Sequence, residues 1–260
     1  KTATQAVTVT VTDVNEAPVA AATATATVAE NSTAVGTYTT TDPDAGDVLT
    51  YSLSGADAAK FSISAAGVVA FVAAPNFEVD AKSYAINVVA TDKAGLTASQ
   101  AVTINVTDVN EAPTAGAAAT ATVAENSTAV GTYAAADVDA GDSLTYTLSG
   151  TDAAKFTVGA DGAVAFATAP NFEKDATSYS INVVATDKAG LASTQAVTVG
   201  VTNVNEAPVA VDDKLATQAL ANNNTYVIDI AGVMANDTDV DAGDTLSIVS
   251  VQAGVGGSVS

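Results

Sequence analysis

The side chains in this sequence that can do chemistry are almost all carboxylates, and they recur at fixed places. Twenty-nine Asp and Glu stand against eight Lys, with no Arg, His, Cys or Trp, and the formal charge is −21 over 260 residues. Lacking Cys, the chain has no disulfides, thiolate nucleophile or thiolate zinc site. Lacking His, it has neither the commonest general base nor the usual transition-metal ligand. What remains is carboxylate chemistry, as acid–base pairs or as oxygen ligands for a hard cation. So negative a chain is unsuited to nucleic acid or an anionic membrane and suited to a divalent ion.

The acids fall at five kinds of place. These are Ala29-Glu30-Asn31, the loop Asp42-Pro43-Asp44-Ala45-Gly46-Asp47, Asn76-Phe77-Glu78, Ala90-Thr91-Asp92, and Asp13-Val14-Asn15-Glu16-Ala17-Pro18. Each returns 95 residues later: Asp13 maps to Asp108 and then Asn203, Glu30 to Glu125, Asp42 to Asp137, Asn76 to Asn171 and Asp92 to Asp187. A period of that size is a whole small domain, too long for one turn of a solenoid.

The elements between the acids read as strands. Tyr84, Ile86, Val88 and Ala90 alternate with polar or small neighbours, as do Val102, Ile104 and Val106 and the set Leu49, Tyr51 and Leu53. Phe61 with Ile63, and Val69 with Phe71, add inward pairs. Further strands are expected at Thr25 to Val28 and Val35 to Thr41, with one helical turn at Asp57 to Lys60. About seven short strands per repeat, punctuated by Gly and Asp, predict all-β, tandem seven-stranded Greek-key β-sandwiches of cadherin or immunoglobulin type. Residues 1–17 read as the last strand and exit linker of a truncated preceding module, 18–112 and 113–207 as complete modules, and 208–260 as the start of a divergent one. No run of 18 apolar residues is present, so no membrane insertion is expected in this segment.

In a sandwich of this order, alternate turns lie at opposite ends. Glu30, Glu78 and the exit motif then share the lower end of one module, and the Asp-x-Asp loop and Asp187 the upper end of the next. The expected junction gathers Glu30, Glu78, Glu111, Asp137, Asp139 and Asp187, with Asn110 adding an amide oxygen. Carboxylates about 4 Å apart repel by roughly 1–4 kcal/mol per pair, so such a cluster calls for divalent cations. Many flexible ligands from separate segments favour calcium over magnesium. Each motif alone is ordinary turn chemistry, since Asp and Asn often bond their own backbone; the weight lies in five acidic motifs in one order.

That order resembles the calcium motifs of cadherin repeats, which run Pro-Glu-Asn, Asp-x-Asp, Leu-Asp-Arg-Glu, Ala-x-Asp and Asp-x-Asn-Asp-Asn-x-Pro. The resemblance covers residues 1 to about 208. It implies up to three Ca2+ per junction, the deeper ions on Glu30, Glu78, Glu111 and the Val109 carbonyl. The outer ion would take Asn110, the Ala112 carbonyl, Asp137, Asp139 and Asp187, with Asp139 bridging. At the preceding junction it implies Asp13, Asn15, Glu16, Asp42, Asp44 and Asp92; at the following one, Glu125, Glu173, Asn205 and Glu206 facing Asp239 and Asp241. Asn76 and Asn171 replace the family's Asp, Glu111 replaces an Asp, and Asn203 the first Asp of the exit motif. The loop after Asp-x-Asp is shorter than in animal cadherins, and Asp47 and Asp142 are candidates for the missing oxygen. Only the junction between the two complete modules is expected to have its full ligand set.

The composition, rich in Ala and Thr and free of Arg and Cys, resembles repeats of large RTX-type bacterial surface adhesins. The expected function is a calcium-rigidified extender, extracellular or on the bacterial cell surface, supporting adhesion and biofilm attachment. Its expected partners are calcium and neighbouring modules, with the adhesion target left open. A module that itself binds a glycan or cell-surface partner is the alternative. Accessory repeats of a secreted carbohydrate-active enzyme come third, with no catalytic role expected for the chain itself.

Overall fold

The computed structural model describes residues 1–213 and 229–250 and divides the chain into two compact units, Lys1–Glu111 and Ala112–Ser260. In the first unit the strands are β1 (Thr23–Ala29), β2 (Ala34–Thr37), β3 (Thr50–Ser54), β4 (Phe61–Ile63), β5 (Val68–Phe71), β6 (Ser83–Thr91) and β7 (Thr97–Thr107). In the second they are β8 (Ala119–Ala124), β9 (Ala129–Thr132), β10 (Thr145–Ser149), β11 (Phe156–Val158), β12 (Ala163–Phe166), β13 (Ser178–Thr186) and β14 (Ala192–Thr202). Each module is a sandwich of a four-stranded sheet, ordered β1-β7-β6-β3 or β8-β14-β13-β10, and a three-stranded sheet, β2-β5-β4 or β9-β12-β11. The all-β, seven-stranded expectation holds.

The inner face follows the alternation of the sequence. Tyr84, Ile86, Val88 and Ala90 of β6 and Val102, Ile104 and Val106 of β7 are all buried. Full burial of one such aliphatic side chain is worth about 1.5–3 kcal/mol. Phe61, Phe71 and Tyr84 close the core between the sheets, with ring centroids 4.3–5.7 Å apart, and Phe156, Phe166 and Tyr179 repeat the arrangement.

Two expectations change in detail. The strand expected at Val35 to Thr41 stops at Thr37, after a register shift between Ala34 and Gly36. Beyond it the backbone crosses over: Tyr38 N–H bonds Gly67 O, and Thr41 pairs with Val19 in an isolated bridge. Residues 1–12 pair with nothing among the described residues, leaving Val7, Val9 and Val11 mostly exposed. They align with β7 95 residues on, and a strand needs a ladder to exist.

Register positions the acids. β1 pairs parallel with β7, Ala29 opposite Thr107, so Glu30 and Asp108 leave the sheet side by side. The parallel pair β8 and β14, with Ala124 opposite Thr202, does the same for Glu125 and Asn203. β6 runs antiparallel to β7, so Asp92, just past its last residue, lies at the opposite end.

Past β14 the chain forms a bridge between Val209 and Thr238, the counterpart of Val19 with Thr41 and Thr114 with Ala136. Asp229 caps a one-turn helix, α1 (Ile230–Val233), by accepting from Ala231 N–H. Parts of the expected third module, residues 214–228 and 251–260, lie outside the described residues. No helix among those described is long and apolar enough to cross a membrane.

Candidate metal centre

The lower end of the first module gathers Glu30, Glu78, Asp108 and Glu111, with one oxygen of each within 4.8 Å of the others. Glu30 organises the group. The residue after it, Asn31, sits at φ +59°, a left-handed conformation that Asn tolerates better than most residues. That turn sends the Glu30 side chain inward, where it is 2 % exposed. Its Oε2 accepts from Phe77 N–H at 2.7 Å and its Oε1 from Val109 N–H at 2.9 Å, joining three acidic motifs through one carboxylate. Burial opposes its ionisation, but these amides and hydrogen bonds with Asp108 and Glu78 outweigh it and hold Glu30 below the usual carboxylate range. Glu78 goes the other way: desolvation, then the charges of Glu30, Glu111 and Asp108, push it up. Asn31 Nδ2 donates to Glu111 Oε1 at 2.7 Å and orients it.

The second module repeats this. Asn126 has φ +62°; Glu125 accepts from Phe172 and Val204 N–H at 2.8 Å each; Asn126 Nδ2 donates to Glu206 at 3.0 Å. Glu125, Glu173 and Glu206 come together, and Asn203 stands where the first module has Asp108. Here the facing loop lies in the same unit. Asp241, only 7 % exposed, accepts from Glu206 N–H through Oδ2 at 2.6 Å. Asp241 Oδ1 and Glu206 Oε2 are withdrawn from solvent with no hydrogen-bond partner. Glu173 is pushed up by desolvation, then by Glu125, Glu206 and Asp241. This end therefore gathers Glu125, Glu173 and Glu206 with Asp241 beside them, four of the five carboxylates expected there, while Asp239 accepts from Asp241 N–H.

At the upper end of the first module the exit motif of residues 13–18 meets the Asp-x-Asp loop. Glu16 N–H donates to Asp44 Oδ2 at 2.8 Å, the contact that Glu206 makes with Asp241. Asn15 Nδ2 donates to Asp92 Oδ2 at 2.8 Å; this bond first, then the amides of Leu96, Gly95 and Ala94, hold Asp92 down against its burial. Asn15 was expected to offer its oxygen. The amide presents its nitrogen, and a half-turn of its terminal torsion would exchange the two. Asp13, Glu16 and Asp44 form one group, and Asp42, Asp47 and Asp92 another, matched by Asp137, Asp142 and Asp187.

Of the remaining expected residues, Asp139 and Asp239 take part in Asp-x-Asp turns as donor and acceptor, and the Asn110 and Asn205 amides donate to the carbonyls of Glu111 and Glu206. Asn76 Oδ1 accepts from Val79 N–H and caps its own turn, while Asn171 Oδ1 has no hydrogen-bond partner. Asp108 was not singled out from the sequence, although its equivalent Asp13 was; the 95-residue offset was the signal. Asn31 and Asn126 were read as motif letters, and their work of turning and orienting appears only in three dimensions.

A sequence profile described as bacterial Ig domain matches residues 15–105 and 110–200, most of the chain. The chain belongs to the bacterial Ig domain family. A second profile, described as cadherin-like domain, matches residues 204–260. Comparison with curated proteins gives no match. Among solved structures it is similar to Drosophila N-cadherin EC1-4, with 23 % identity, TM-score 0.55, 73 % of this chain and 50 % of that one covered. It is also similar to human protocadherin-24 EC1-2, with 20 % identity, TM-score 0.58 and coverage of 74 % and 100 %. This chain thus spans half the length of the N-cadherin fragment. At these identities the likeness is one of fold. Bacterial Ig and cadherin-like domains are adhesion-type, typically extracellular modules, and neither is an enzyme family.

Proposed function

We propose that this chain is an extender segment of a bacterial surface adhesin whose modules are stiffened by Ca2+ at their junctions. The observation that carries the reading is the end where Glu125, Glu173 and Glu206 of one module meet Asp241 of the next. Buried carboxylate oxygens without donors are costly unless a cation joins them. Separate, flexible oxygen ligands suit calcium. Asn205 and Asp239 are the further ligands proposed there.

By the 95-residue repeat the same set is Glu30, Glu78, Asn110 and Glu111 with Asp137, Asp139 and Asp187, and, for the module completed by residues 1–12, Asp13, Asn15 and Glu16 with Asp42, Asp44 and Asp92. Extracellular modules bind calcium at about 10⁻⁴–10⁻³ M. The segment would therefore be calcium-free inside a cell and loaded outside, where an RTX-type parent would use it to hold its adhesive end away from the surface, as in biofilm attachment. The glycan-binding alternative gains no support, because every described Tyr and Phe is buried or half-buried and none is fully exposed for stacking.

Calcium titration followed by small-angle scattering with and without chelator tests the proposal. Calcium should bind and chelation should shorten the mean end-to-end distance. An absence of calcium binding, or a scattering profile indifferent to chelator, overturns it.

A further inference from the structure

The backbone between β2 and the first Asp-x-Asp loop is tied down group by group, and one of its ties is a side chain. Tyr38 N–H bonds Gly67 O at 2.8 Å, Thr41 pairs with Val19, and between them Thr40 N–H donates to the Tyr51 hydroxyl at 3.0 Å. Thr40 stands just ahead of Asp42, and Tyr51 reaches it from β3, the strand that follows the loop. Tyr51 also lines the depression that holds Asp42, Asp44 and Asp47. Its hydroxyl is thus placed to fix the approach to the carboxylates while belonging to the strand beyond them.

The second module repeats the tie. Tyr133 N–H bonds Gly162 O at 2.9 Å, Ala136 pairs with Thr114, and Ala135 N–H donates to the Tyr146 hydroxyl at 3.0 Å. Thr40 has become Ala135 and the bond is unchanged, because it uses the amide and not the side chain. The third Asp-x-Asp loop is built otherwise. Ile248 stands where the other two have Tyr51 and Tyr146, and it carries no hydroxyl. There the corresponding amide, Asp237 N–H, bonds the carbonyl of Met234, the residue that caps the end of α1, at 3.3 Å. An anchor for this amide is kept where the tyrosine is absent.

We propose that Tyr51 and Tyr146 are positioning residues for cation binding. Each hydroxyl holds the entry to its module's Asp-x-Asp loop, so that Asp42 and Asp44, or Asp137 and Asp139, stand in place before an ion arrives. The inference rests on the calcium reading above and adds to it what sets the affinity of the upper loops. A loop already ordered by folding loses little further freedom on binding, and so holds its ion more tightly than one the ion must order. Phe in place of either Tyr keeps the ring and its packing and deletes only the acceptor.

The test uses the whole chain, isotopically labelled for NMR. Calcium titrations are read at the Asp44 and Asp139 amides for the wild type, Tyr51→Phe and Tyr146→Phe, and amide hydrogen exchange is followed in chelator. In the wild type, Thr40 and Ala135 N–H should be protected before any calcium is added. Tyr51→Phe should weaken binding at Asp44 about three- to tenfold, the worth of roughly one hydrogen bond, with Asp139 as in the wild type. It should also speed exchange at Thr40 while Ile86 in the core stays protected. Tyr146→Phe should do the same at Asp139 and Ala135 and spare the first module. Unchanged calcium affinities with faster exchange would make the hydroxyls structural only and overturn the inference, as would wild-type Thr40 and Ala135 amides that exchange freely in chelator. Either result, with calcium still bound, leaves the junction reading standing. A wild type that binds no calcium overturns both.

Discussion

The lower ends of the two complete modules differ by one charge. In the first, Glu30 and Glu78 share their pocket with Asp108; in the second, the same strand end presents Asn203 beside Glu125 and Glu173. The hydrogen bonds that hold the central glutamate recur within 0.1 Å in the two copies. Backbone geometry has thus stayed the same while the charge available to a cation has changed. The scaffold and the strength of the site can vary separately, because the scaffold rests on amides and the strength on which carboxylates surround them.

That comparison can be broken or sharpened experimentally. The largest effect is expected from removing calcium: at 100 times the dissociation constant each occupied site stabilises by about 2.7 kcal/mol, so chelator should lower the melting temperatures of both modules. Equal melting with and without calcium would remove the basis for comparing sites at all. Next, Glu30→Ala and Glu125→Ala strand two backbone N–H groups each, costing about 2–6 kcal/mol at roughly 1–3 per group, even in chelator. Denaturant unfolding should find both losses in that range, since each copy strands an equivalent pair of amides.

A smaller effect separates the copies. Asp108→Asn should weaken calcium at the first lower end about three- to tenfold, and Asn203→Asp should strengthen the second by a similar factor, as one added negative charge near the ion implies. Calorimetry showing no change in either direction would mean that the difference between Asp108 and Asn203 is silent.

The smallest effect concerns pH in chelator. Glu78 and Glu173 are raised above the ordinary 4.5, so their protonation favours the folded state. That contribution is full below 4.5 and lost as pH rises through the folded values. Calcium-free melting temperatures should therefore rise slightly as pH falls from 7 towards 5. Glu30 is lowered, so its contribution persists above 4.5 and is lost only as pH falls through its folded value. A melting temperature that falls steadily from pH 7 to 5 without calcium would contradict the raised assignment. With calcium present the trend should reverse, because protons and the ion compete for the same oxygens.

Much of this was legible in the residues. Period-2 alternation in Tyr84, Ile86, Val88 and Ala90 picks out one face of β6 with no tertiary information, because a pleated strand sends alternate side chains to opposite sides. The pairing of Glu30 with Glu78 and Glu111 was legible too, as strand order places those turns at one end. Less legible were contributions that depend on backbone direction at a single residue. Asp47 could be named a candidate oxygen from its place in the loop, but the string does not show that a left-handed Gly46 precedes it or that its carboxylate lies near those of Asp42 and Asp92, and nothing around Asn31 distinguishes a turn residue from a ligand.

The sequence by itself determined the period, the strand pattern and the carboxylate inventory, since each is a property of residue type and spacing. Only the tertiary structure decided which further carboxylates enter each pocket. Asp108 joins Glu30 because β1 lies parallel to β7 in one register, and a shift of one residue would turn it away. Asp241 faces Glu206 because a bridge between Val209 and Thr238 holds the two segments together across residues whose sequence no longer keeps the 95-residue spacing. Such groupings depend on register and long-range pairing, which a linear pattern does not carry.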